Sequence, residues 1–289
     1  MTPPSTTALP RVADRGLFAR LVDDAAVFPP GNAPLDEAVR LHRFHRAAAY
    51  AWLVGPLLVP VSSATALEQV AAASASAVSP VLEVALVARP GVATREVEQA
   101  VALLSAAGGV TAVGVEMAWS PQWREADLDG LPLTLEVPRG PEQARALDDL
   151  GTALGEGTVQ AKFRTGATPT WAWPHEDELA GFVRAAVERG VPFKLTGGLH
   201  HLVRGARSEG EQHGLLNVLL AVHAVVTGGP PDDVTDALRE RDTDTLVERT
   251  ALIDANGAAA LRRTLTAYGC CEVTDPIGEL TTRRLIEGA

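Results

Sequence analysis

Cysteine is almost missing from this 289-residue chain: only Cys270 and Cys271 occur, side by side. Neighbours on a strand point to opposite faces, so a bridge between them would be strained. No CxxC spacing occurs either, and neither a disulfide framework nor a thiolate metal site is supported. Basic charge is also short. Lysine and arginine total 25 against 36 aspartates and glutamates, a formal net charge of −11, which excludes a broad electrostatic grip on nucleic acid. No run of about 18 apolar residues is present, so no membrane-spanning helix is expected. The opening MTPPSTTALPRVADRG has no apolar core of the kind a secretory signal carries. These absences lead to the expectation of a cytoplasmic protein with reduced thiols that acts on a small molecule, with self-association left open.

The scarcest chemistry-bearing residue is lysine. Twenty-three of the 25 basic residues are arginine, and the only two lysines, Lys162 in VQAKFRTG and Lys194 in VPFKLTGGLHH, lie in segments that read as buried strands.

What is present is an alternation of short apolar runs with helix-like stretches, in a chain that is 46% hydrophobic and can build a large core. The runs are AWLVGPLLVP (51–60), VLEVALVA (81–88), VTAVGVEMAW (110–119), LPLTLEVPR (131–139), TVQAKFRTG (158–166) and VPFKLTGGL (191–199). Such repeats call for parallel strands with right-handed crossovers. The fold expected is α/β, a (β/α)8 TIM-barrel-like domain over 18–289 behind a flexible tail at 1–17. A doubly wound open sheet is the competitor, weakened because no GxGxxG follows the first strand. The stretch DDVTDALRERDTDTLVERTALIDANG (232–257) is expected to hold an irregular seventh unit, a helix and a short hairpin, and YGCCEVTDP (268–276) the eighth strand.

Strand parity puts Lys162 and Arg164 on one face, and Lys194 and Thr196 on one face of the next strand. Glu116 and Glu136 fall near the ends of their own strands. Charges there would replace the usual Val, Ile and Leu of a barrel interior, and burying several costs enough that a functional site is the better reading than a structural network. An amine can form a Schiff base where a guanidinium cannot, and two lysines on adjacent strands are analogous to class I aldolases. The expectation is a lyase of aldolase type acting on a small oxygenated, anionic substrate. Lys194 is assigned as nucleophile and Lys162 as the cation lowering its pKa. Arg164 holds a carboxylate or phosphate, Glu136 or Glu116 moves protons, and His200 or His201 finishes the transfer. Thr196, Gly197, Gly198 and Arg204 are assigned to substrate binding, with capping or packing the plainer role for Arg204 and His213.

Two rivals stay open. One is a metal-dependent hydrolase or isomerase, with a divalent metal on His200 or His201 and Glu116, Glu136 or His213, although no HxH, HExxH or DxD spacing supports it. The other is a non-catalytic binding protein. No cofactor is expected on the favoured reading. LVDDAAVFPPG (21–31) is expected to cross one barrel mouth, with Asp23 or Asp24 capping or entering the site. Glu272 and Asp275 should lie near strand one. Cys270 or Cys271 could be nucleophilic, with a buried inert thiol the commoner case. His42, His45 and His223 read as packing residues, and Trp171 and Trp173 as an aromatic lid or edge cover.

Together LVDDAAVFPP, AKFRTG, FKLTGGLHH, HGLLNVLLA and YGCCEVTDP resemble landmarks of a bacterial family of uncharacterised proteins, over roughly residues 18 to 285, with FK-T-GLHH the most specific part. Similar sequences read T-A-G where Thr196-Gly197-Gly198 stands, Pro in place of Leu202, and GSCSF in place of Gly269-Cys270-Cys271-Glu272-Val273. The resemblance implies a TIM-barrel-like fold and brings no reaction with it.

Overall fold

Phe163 and Phe193 decide which way two neighbouring strands face. Their rings pack with Phe182, Phe163 stacked at 4.6 Å and Phe193 edge-on at 5.0 Å. With these residues turned out toward the helix layer, Lys162, Arg164 and Lys194 must turn in. In the computed structural model, which describes residues 12–73, 81–155, 157–208 and 210–287, eight parallel strands close into a barrel surrounded by helices. The fold is α/β and TIM-barrel-like.

The strands of the barrel are β1 (Val22–Asp24), β2 (Val54–Pro60), β3 (Leu82–Val87), β4 (Val110–Ala118), β5 (Leu133–Glu136), β6 (Val159–Arg164) and β7 (Phe193–Thr196). A small antiparallel hairpin, β8 (Gly205–Arg207) with β9 (Gly210–Gln212), precedes the last barrel strand, β10 (Leu265–Cys270). Neighbours follow chain order from β1 to β7, and β10 closes the ring between β7 and β1. Helices α1 (Leu35–Ala47), α2 (Ala64–Ala73), α3 (Thr94–Ala106) and α4 (Gln143–Thr152) follow β1, β2, β3 and β5.

Two expectations are corrected. There is no seventh unit in 232–257: after α6 (Leu215–Val226) come α7 (Pro231–Arg239), α8 (Thr243–Ala251) and α9 (Ala255–Thr264), and β10 pairs directly with β7. The caps explain the helices, since Asp242 accepts from Thr245 N–H and Asp254 from Gly257 N–H. α6 is apolar nearly all round because α7, α8, α9 and α5 (Glu176–Glu188) cover it. The missing strand is at the other end of the chain. LVDDAAVFPPG is divided: its Val22–Asp24 is β1, paired with both β2 and β10, while Ala25 and Phe28, Pro29, Pro30 and Gly31 beyond it line the barrel mouth as expected. Three residues are too few for an alternation to register, and two of them are aspartates.

Of the expected tail, residues 1–11 lie outside the described residues. From Val12 on, the chain is built into the fold: Asp14 caps a 3-10 turn at Arg15–Leu17, and Leu17 and Phe18 are fully buried. Among the described residues no helix is long and apolar enough to cross a membrane.

Candidate active site at the carboxyl ends of the strands

Inward-facing polar side chains stack in layers. Toward the amino ends of the strands, Gln160 Nε2 donates to Thr134 Oγ1 at 2.8 Å, and the Thr266 hydroxyl donates to Gln160 Oε1 at 2.6 Å. One layer up, Lys162 and Lys194 sit opposite each other in the β6–β7 register, and Glu136 is opposite Lys162 in β5–β6. The Glu116 carboxylate takes both amines: Lys162 Nζ lies 3.0 Å from Oε2 and Lys194 Nζ 2.5 Å from Oε1. Lys194 also donates to Asp23 of β1. Lys162 lies 2.9 Å from Glu136, whose other oxygen accepts from Arg164 Nε at 2.9 Å.

The result is one chain of alternating charge, Asp23–Lys194–Glu116–Lys162–Glu136–Arg164, with three carboxylates and three cations. Asp23, Glu116, Lys162 and Lys194 are all buried, whereas Glu136 and Arg164 are partly open. Strict pairing is what makes such burial tolerable, because an unmatched ion there would cost several kcal/mol, about 3–5 when one partner is removed.

The charges set the proton affinities. Burial alone would lower the Lys194 pKa, but attraction and hydrogen bonds from Asp23 and Glu116 outweigh it and raise it. Burial works against Glu116 as well, yet Lys194 and Lys162 together bring it down to about 2. Glu136 is also lowered, with burial opposed by Lys162 and then Arg164. Asp23 goes the other way: burial raises it against the pull of Lys194. The expected lowering of Lys194 by Lys162 is therefore corrected. A carboxylate stands between the two amines, and each ammonium faces two anions.

Asp23 fits because β2 carries Gly55. A Cβ at that position would lie 2.0 Å from Asp23 Oδ1. Gly55→Ala should displace the carboxylate from Lys194 and cost roughly 1–3 kcal/mol, read as a lower urea midpoint. An unchanged midpoint would contradict the placement.

Above the charges lies a cavity of about 1090 Å³. One wall is polar, with Glu116, Glu136, Lys162, Arg164 and Thr196; the other is apolar, with Ala25, Phe28, Leu58 and Val87. Lys162 lines it, while Lys194 is not among its lining residues. The loop after β7 holds three successive positive φ values, Gly197 +72°, Gly198 +139° and Leu199 +62°. The glycines accept this freely, whereas Leu199 stores strain of about 1–2 kcal/mol. The turn sets Gly197, Gly198, His200 and His201 on the rim.

The paired histidines diverge. His201 Nδ1 is 2.7 Å from Glu279 Oε1, and Leu202 N–H donates to Glu279 Oε2, tying the loop to α10 (Thr274–Thr282). His200 instead faces Cys271 and Asp275. Arg204 is not brought to the cavity: it is buried between Glu176 (2.9 Å) and Glu211 (3.2 Å) and contacts His213. His213, which burial lowers to about 4, is neutral and faces the Pro174 carbonyl. The plainer role for this pair, holding the β8–β9 hairpin, is the one their contacts describe. His42 pairs with Asp24 at 3.0 Å and His45 with Tyr50 at 3.0 Å, away from the cavity. Trp173 lines the cavity, whereas Trp171 packs against Arg139. Among the described residues no group of three or more His, Cys, Asp or Glu side chains is placed to share a metal ion.

Sequence reasoning left Asp23 between capping and the site, and missed Gly55 entirely. The only signal was a pair of aspartates in an apolar segment.

Fold and site together define a TIM-barrel protein with a charged cavity at the carboxyl ends of its strands, the face where this fold keeps its active sites. Comparison with protein-family models and with curated proteins finds no match for this chain, which leaves the chemistry of its residues as the guide to function.

Proposed function

We propose that this chain is a lyase of aldolase type that holds a small, oxygenated, anionic carbonyl compound as a Schiff base. The observation that carries this is Lys162, an amine that lines the cavity while set between two carboxylates, one of them shared with a second buried lysine. The nucleophile is therefore moved from Lys194 to Lys162. Lys194, enclosed by Asp23 and Glu116, serves as a fixed positive charge.

Arg164 binds the substrate carboxylate or phosphate and in doing so loosens its hold on Glu136. Glu136 takes a proton from the Lys162 ammonium. The free amine forms a bond to the carbonyl carbon, one of its protons and the one held by Glu136 pass to the carbonyl oxygen, which leaves as water, and a cationic imine and the Glu136 carboxylate result. That imine accepts the electron pair of the neighbouring C–C bond as Glu136 removes the proton of the departing hydroxyl. The same carboxyl then protonates the enamine, and hydrolysis frees the amine. His201, tied to Glu279, and His200, turned to Cys271, are given no part in this proton path.

Borohydride added during incubation with 2-oxo acids and free or phosphorylated hydroxy-aldehydes tests the reading. The expected result is a reduced adduct on Lys162, located by peptide mass. Turnover of a substrate without any adduct would reject the covalent route, and chelator-sensitive turnover would favour the metal-dependent hydrolase or isomerase. A non-catalytic binding protein also has an observation in its favour, since the six charges satisfy one another without a ligand. It predicts saturable binding of an anion with no turnover.

A further inference from the structure

Cys271, His200 and Asp275 meet at the rim of the cavity, and the interior ion chain uses none of them. Cys271 is the first residue beyond β10, half-buried in the turn that leads to α10. Its Sγ lies 3.4 Å from His200 Nε2, while His200 Nδ1 lies 3.4 Å from Asp275 Oδ2. The contacts use opposite ring nitrogens, so a single tautomer serves both: a proton on Nδ1 toward the carboxylate, and a lone pair on Nε2 toward the thiol. The order is that of a nucleophile, its base and the group orienting the base. Burial raises the Cys271 thiol, and the backbone N–H groups of Gly31 and of Cys271 itself offset only part of that. All three side chains line the cavity.

Cys270 is the internal contrast. It is fully buried, its Sγ donates to the Glu272 carbonyl at 3.2 Å, and it approaches only the His200 nitrogen that already faces Asp275. Burial raises both thiols, so Cys271 rests as a thiol and needs a base at the moment of attack.

We propose that Cys271 is a second nucleophile of this protein, adding its thiol to the electrophilic carbonyl carbon of an aldehyde in the cavity, with His200 as base and Asp275 as positioning residue. The Sγ proton passes to His200 Nε2 and the S–C bond forms as the carbonyl π pair moves to oxygen. The imidazolium then returns the proton to that oxygen, giving a thiohemiacetal without any oxidant or further reactant. This does not rest on the lysine chemistry: no water leaves, and Lys162 takes no part.

Alkylation of the intact protein by iodoacetamide at neutral pH, with peptide mass reporting each cysteine, tests the assignment. Cys271 should react about tenfold faster than glutathione in the same solution and than Cys270. His200→Gln should remove that advantage, and added imidazole should restore part of it in His200→Ala. Asp275 is exposed, so Asp275→Asn carries little risk to folding. It should slow Cys271 about threefold, with Asp275→Glu recovering the rate. Glycolaldehyde should protect Cys271, in Lys162→Arg as in the native protein, which separates failure here from failure of the Schiff-base reading. A Cys271 no faster than glutathione, or unaffected by His200→Gln, would overturn the proposal.

Discussion

Glu116→Gln is expected to lower stability by about 3–5 kcal/mol, the loss found when one partner of a buried ion pair is removed. The amide can accept from one ammonium, but its NH2 then faces the other, and Lys162 and Lys194 lose the anion that separates them. At roughly 2–4 °C per kcal/mol for a chain near this size, the thermal midpoint should fall by about 10 °C. The acid limb adds a second readout. Glu116 is depressed from 4.5 to about 2 in the folded protein. Its contribution is therefore fully present above pH 4.5 and is lost as pH falls toward 2. Glu136, also lowered, acts in the same direction, and Asp23, raised by burial, opposes both. Urea titrations across that window should show a shallower acid loss in Glu116→Gln than in the native protein. Equal slopes would mean that Glu116 is not the shared anion.

Lys162→Arg should abolish turnover, by roughly a thousandfold or more, together with the borohydride adduct. A guanidinium keeps the positive charge between Glu116 and Glu136 but cannot form an imine. Lys194→Arg makes the opposite prediction. That position is enclosed between Asp23 and Glu116, so the larger head should cost stability, about 1–3 kcal/mol, while the adduct on Lys162 still forms. Thermal melts and adduct masses on both variants separate the roles. Residual turnover in Lys162→Arg near the native rate would remove the Schiff base from consideration.

The two lysines show how far the sequence reaches. Their positions in alternating apolar segments predict that they face inward, and the structure places Lys162 and Lys194 opposite each other on β6 and β7. The protonation of Lys194 was not legible, because it depends on Asp23, 171 positions away along the chain. Counting only the cations suggests a lowered pKa; burial would lower it too, and the two carboxylates around Lys194, Asp23 and Glu116, reverse the sign. Arg204 fails for a related reason: a basic residue beside a histidine-rich loop reads as an anion holder, until Glu176 and Glu211 close around it.

What the sequence determined by itself is the repeat of strand and helix, the shared strand faces of Lys162 with Arg164 and of Lys194 with Thr196, and the place of Glu116 and Glu136 near the ends of their strands. Each follows from local periodicity and backbone sterics, which act over a few residues. Tertiary structure alone decided that the ring closes through a three-residue strand near the amino terminus. It also decided that Asp23 enters the charge chain beside Gly55, that Lys162 and not Lys194 reaches the cavity, and that His200 meets Cys271. Barrel closure causes the first two, because it joins the first strand to the last, and the pairing of β10 with β7 brings the residues after those strands, Cys271 and His200, to one rim.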